Sequence, residues 1–129
     1  MNRFRPTPGP AILAFAVLLG GAPSSPPVRV RMTSQHEFEP QVVIVRPGDD
    51  VLWSNEDREV HSVVADPWLA LHREDIEPPS PPEAFHSADL RPSQSFRRTF
   101  TRIGVYRYVC RHHEEQGMNG TVIVRGDRD

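Results

Sequence analysis

Cys110, His113 and Met118 fall within the single segment Tyr106-Arg107-Tyr108-Val109-Cys110-Arg111-His112-His113-Glu114-Glu115-Gln116-Gly117-Met118-Asn119-Gly120. A thiolate, an imidazole and a thioether are soft to borderline donors. Together they suit copper, which alternates between a softer Cu(I) and a harder Cu(II). Structural zinc would favour more thiolates, and calcium or magnesium would want oxygens. A trigonal site needs a second imidazole from elsewhere. His61 is the candidate, near the start of a short strand and just after the polar turn in Trp53-Ser54-Asn55-Glu56-Asp57-Arg58-Glu59-Val60-His61. Two His, one Cys and a weak axial Met make the blue-copper donor set.

Taken singly, each residue has a plainer reading. A lone Cys is usually a small buried hydrophobe, a Met beside a Gly is usually packing, and a His in a strand is usually a satisfied hydrogen-bonder. Their joint order and spacing carry the copper reading. His36, His72 and His86 fall outside the pattern and are assigned to the surface. His112 is the one spare imidazole close enough to compete. Tyr106, Tyr108 and Trp53 read as core, and Glu114 and Glu115 as solvated loop charges that border a docking face.

The elements that must bring these side chains together are short. Segments rich in Val, Ile, Phe and Tyr lie at 28–33, 41–45, 50–54, 60–65, 94–101, 105–110 and 121–125, separated by turn residues such as Pro47-Gly48. This predicts an all-β sandwich, a Greek-key arrangement of about seven to eight strands, and not βαβ units. On the 105–110 strand, Tyr106, Tyr108 and Cys110 share a face, so Cys110 enters the domain at the strand's last position. The chain then loops back to begin the strand at Thr121, carrying His113 and Met118 with it. Residues 66–87 form a long Pro-rich excursion between the fourth and fifth segments, in which 68–72 has room for one helical turn. Phe96, Arg98 and Phe100 share a face, which requires either a bulge or an Arg lying along the sheet with its head in water.

Composition bounds the rest. The chain has 129 residues, enough for one domain, with 15 Lys+Arg (all Arg), 17 Asp+Glu and a formal charge of -2. The arginines are scattered, so no basic stripe points to nucleic acid. Arg3 and Arg5 precede the apolar run 11–19 and the small residues Gly20, Gly21 and Ala22. That is the pattern of a secretory signal peptide, too short to span a bilayer. Residues 1–24 are therefore expected to be removed, leaving a domain over 25–129 that is exported to the periplasm or extracellular space, without stable membrane insertion. Cys110 is the single cysteine, so no internal disulfide can form. In an oxidising compartment a free thiol needs burial or a bound partner.

The segment also resembles a known family, the small cupredoxins of the plastocyanin, pseudoazurin and amicyanin type. Those carry an Asn-rich turn before the first His, then Tyr-x-Cys-x-x-His with a Met a few residues later and Gly-x-Val-x-Val behind it. Here these are Asn55 and His61, then Tyr108, Cys110, His113 and Met118, then Gly120, Val122 and Val124. The gap of five from His113 to Met118 is similar to the plastocyanin and pseudoazurin loop, and the resemblance spans about 28–125. Two positions depart from it: His112 stands where the family often has Pro, and Ser62 where it often has Asn. The resemblance implies one copper bound by His61, Cys110, His113 and Met118, and electron transfer rather than catalysis. It also implies that the edge of His113 lies in an apolar patch where redox proteins dock transiently, on a protein expected to be monomeric. The rival readings are a copper-delivery protein with incidental redox activity, an enzyme with an open copper site in which Met118 does not bind, and a metal-free structural domain.

Overall fold

The computed structural model describes residues 3–11 and 25–126; the expected apolar run and the cleavage point after Ser24 lie almost wholly outside the described residues. Among the described residues, nine strands form two facing sheets. The first contains β1 (Val28–Met32), β2 (Phe38–Glu39), β4 (Asp50–Asn55) and β7 (Ser95–Thr99), in the order β2-β1-β4-β7. The second contains β3 (Val42–Val45), β5 (Val64–Ala65), β6 (Phe85–His86), β8 (Gly104–Val109) and β9 (Asn119–Val124), in the order β3-β9-β8-β5-β6. β1 runs parallel to β4, and β3 parallel to β9; the remaining pairs are antiparallel. Parallel neighbours arise because the chain switches sheets between them, as a Greek-key sandwich requires.

The alternation that marks the strands in sequence sets the core. Val30 and Met32 of β1, Val51 and Trp53 of β4, Tyr106 and Tyr108 of β8, and Val122 and Val124 of β9 are all buried, one face of each strand. Trp53 sits at the centre, with the rings of Phe85, Phe96, Phe100 and Tyr108 at centroid distances of 5.4 to 6.2 Å. Gly120 is needed opposite Tyr108, because a Cβ there would run into the phenol ring. The pairing of β4 with β7 is continuous from Asp50↔Thr99 to Ser54↔Ser95, so no bulge intervenes. Arg98 lies along the sheet instead, its guanidinium carbon 4.4 Å from the Phe85 ring centre, and donates to Glu83 at 2.9 Å.

Three strands, β2, β5 and β6, have only two residues each, too short for any alternation to show. One of them, β6, falls inside the stretch expected to be excursion, so the loop closes earlier than Ser87. The expected strand 60–65 shrinks to Val64–Ala65, with His61 in an isolated bridge to Leu90. The helical turn expected at 68–72 is a hydrogen-bonded turn begun by Asp66, and a 3-10 turn follows at Arg73–Asp75. The Asp66 carbonyl accepts from the N–H groups of Leu69 and Ala70 and its carboxylate from that of Trp68, a single turn that is not continued into a helix.

Candidate metal centre

Cys110 follows directly on β8, which delivers its side chain to the end of the sandwich fully buried. The chain then reverses through its own backbone. His113 N–H donates to Cys110 O at 3.1 Å, Met118 N–H to His113 O at 3.2 Å, and Cys110 N–H to Met118 O at 3.0 Å. A 3-10 turn, Glu114–Gln116, carries the reversal, and Gly117 closes it at φ 79, a left-handed conformation that costs glycine little. Met118 is fully buried beneath this loop.

His61 arrives from the other side. It exchanges backbone hydrogen bonds with Leu90 at 3.0 and 2.8 Å. Its approach is fixed by Asn55, which is buried and donates to the carbonyls of Glu59 and Leu90 at 2.8 and 2.9 Å while accepting from Asp57 N–H. His61 Nδ1 lies 3.6 Å from Cys110 Sγ, and His113 Nδ1 lies 3.5 Å from it. All three residues are buried and form one cluster of potential metal donors. His112 does not join it: its Nε2 contacts Asp89 at 2.7 Å on the surface.

The surroundings favour this arrangement. Burial pushes the Cys110 thiol up, an effect opposed by backbone N–H groups, first among them Ser62, whose nitrogen is 3.4 Å from Sγ. Ser62 Oγ also accepts from Arg111 N–H at 3.0 Å, so the departure from Asn at this position still ties the two loops together. Asp57 holds the outer nitrogen of His61 at 2.9 Å. That hydrogen bond, above all, lowers the Asp57 carboxyl below its ordinary range. Burial lowers His113, helped by the neighbouring His36 and His61.

Two residues depart from their expected places. His36, assigned to the surface, is half-buried and stacked on His113, with ring centroids 4.0 Å apart and planes 15° from parallel. Glu114, read as a solvated charge, is buried; its carboxylate accepts from Leu71 N–H at 2.7 Å and His72 N–H at 2.9 Å. Burial pushes that carboxyl up. Asp57 was not singled out at all, although an acid four residues before a candidate ligand is a signal: a metal-bound histidine commonly gives its outer N–H to a carboxylate. The outer edge of His113 meets His36 and Glu59, a polar border where the resemblance implies an apolar one.

A small mixed-sheet sandwich with one buried thiol between two imidazoles, and a buried thioether on the same loop, defines the cupredoxin class. The family described as "Copper binding proteins, plastocyanin/azurin family" matches residues 28–125, and the chain belongs to it. Plastocyanin of Scenedesmus fuscus is 30% identical over 90 residues, covering 68% of this chain and 86% of that protein. Chloroplastic plastocyanin of Tetradesmus obliquus is 34% identical over 91 residues, covering 68% of this chain and 58% of that one. The Cu(I) form of an amicyanin mutant superposes with a TM-score of 0.61 at 24% identity, over 79% of this chain and 85% of that one, a likeness of fold. The Cu-containing nitrite reductase of Thermus scotoductus SA-01 matches at a TM-score of 0.64 and 28% identity, but over only 23% of its length against 80% of this chain. Copper is the metal of this family, and the donors gathered around Cys110 fit it.

Proposed function

We propose that His61, Cys110, His113 and Met118 hold one type 1 copper ion, and that the protein is a one-electron carrier between redox proteins outside the cytoplasm. The observation that carries this reading is the buried trio, with Sγ within 3.6 Å of two imidazole nitrogens before any metal is considered. Copper, when bound, supplies a couple between Cu(I) and Cu(II). The chain's part is to keep the donors in place. Cys110 and Met118 are locked by backbone bonds of their common loop and His61 by Leu90 and Asp57, and these three side chains are fully buried. A frame that does not rearrange keeps the cost of reorganisation low when charge arrives or leaves.

Catalysis is disfavoured by the same geometry. With Met118 wholly buried and His113 only 9% exposed, the site offers no open face for a substrate. The match covers only 23% of the nitrite reductase, so more than three times as much of that protein lies outside it, and its chemistry does not transfer. Partners are redox proteins that dock transiently at the end of the sandwich near His113, and the working form is a monomer. Export after removal of residues 1–24 rests on the sequence pattern at 3–22; among the described residues, no helix is long and apolar enough to cross a membrane. Voltammetry of the copper-loaded protein tests the function. The expected result is a reversible wave of one electron per chain that nitrite leaves unchanged; a catalytic current with nitrite, or no reversible wave, would overturn it.

A further inference from the structure

The residues outside His113 are arranged too specifically to be bystanders. His113 Nε2 lies 3.2 Å from Glu59 Oε2, and His36 Nε2 lies 2.8 Å from the same oxygen. The two rings stack at 4.0 Å, nearly parallel. His36 is set there by an unusual backbone: it has φ 55, left-handed for a non-glycine residue, in a turn closed by His36 N–H on Thr33 O and Thr33 N–H on Glu37 O. A residue held in that region is held by its surroundings.

The trio could be taken for a second cation site, since its donor atoms lie within 4.8 Å of one another. The contacts argue otherwise. Glu59 Oε2 is already engaged by the His36 hydrogen bond at 2.8 Å, and His113 has its other ring nitrogen, Nδ1, against Cys110 Sγ, so Glu59 and His36 form a border to that ring. A carboxylate 3.2 Å from Nε2 favours the proton on that nitrogen by charge attraction and leaves the Nδ1 lone pair free. Nδ1 is the atom that faces Cys110.

We propose that His36 and Glu59 clamp the outer edge of His113 and are positioning residues that hold its ring with Nδ1 turned toward Cys110. The clamp rests on the reading of His113 as a copper ligand. It parallels the first histidine: Asp57 hydrogen-bonds the outer nitrogen of His61, and Glu59, two residues on, sets its charge 3.2 Å from the outer nitrogen of His113. It also places His36, and not His113 alone, at the surface that a redox partner would meet.

The test begins on the copper-free protein with labelled histidine, using nitrogen NMR to report the tautomer. His113 is expected as a single Nε2–H tautomer in the wild type and in Glu59→Gln, which keeps an acceptor oxygen. Glu59→Leu should give a mixture of tautomers, and His36→Ala should remove the ring-current shift on the His113 protons. Copper(II) affinity, measured against a competing chelator, should fall about ten- to a hundredfold in Glu59→Leu and recover in Glu59→Gln. If Glu59→Leu and His36→Ala both keep the wild-type NMR spectrum of His113 and the wild-type affinity, the clamp is wrong. A wild-type protein that fails to bind copper would contradict the ligand reading instead, and the NMR arm would still decide the clamp.

Discussion

Residues 110–118 turn back on themselves through bonds between their own backbone groups, so Cys110, His113 and Met118 are placed by the loop that contains them. The excursion between β5 and β6 lies beside that loop and is placed from outside. Ile76 is its one fully buried apolar residue, packed with Val64 and Val109 in a small cluster separate from the main core. Farther on, Arg107 reaches Pro78 O at 3.3 Å and Arg102 reaches Pro82 O at 3.0 Å. The two regions meet at Glu114, the residue after His113, whose carboxylate takes the N–H groups of Leu71 and His72. A self-closed loop keeps its geometry when its neighbours change. An externally anchored one depends on a few contacts that can be removed one at a time.

Removing those contacts in turn sharpens the contrast. Ile76→Ala should have the largest effect, about 2–5 kcal/mol lost in denaturant unfolding of the copper-free protein, through a cavity under the excursion. The copper spectrum should be unchanged, because the ligand loop does not rely on that cluster. Glu114→Ala strands two backbone N–H groups and should cost about 1–3 kcal/mol. Hydrogen exchange should quicken at Leu71 and His72 first; equal quickening across 110–118 would show that the two regions are one unit.

The smallest effect concerns His72 and Glu115, which meet at 3.0 Å across the same seam. That hydrogen bond, with its charge attraction, raises His72 above its ordinary 6.5. A raised histidine contributes stability that is fully present below the unfolded value and is lost as pH rises through the folded one. Protection of the Leu71 and His72 amides should therefore weaken slightly as pH is raised from below 6.5. His72→Asn should abolish that pH dependence, and its persistence would exclude the pair as the cause.

The same contrast explains how far the sequence could be read. Cys110, His113 and Met118 were legible because one short loop fixes their spacing, and His61 because a polar turn with Asn55 precedes it. The alternation in β1, β4, β8 and β9 gave away the sandwich, since each has one buried face. Glu114 was misread because nothing near it in sequence shows that residues 71 and 72 return over it. His36 was misread for the same reason: its partner His113 is far along the chain, and a stacked pair leaves no spacing signal. Strands as short as Phe38–Glu39 and Phe85–His86 leave no period to detect.

The account stands on Cys110 as the thiolate bound to copper between His61 and His113. Its most direct test is the visible absorption spectrum of the protein loaded with one equivalent of copper(II), recorded beside Cys110→Ser. The wild type should show an intense visible band from thiolate-to-copper charge transfer, and the serine variant should lack it. A wild-type protein that binds stoichiometric copper and stays colourless, or a serine variant that keeps the band, would contradict the account.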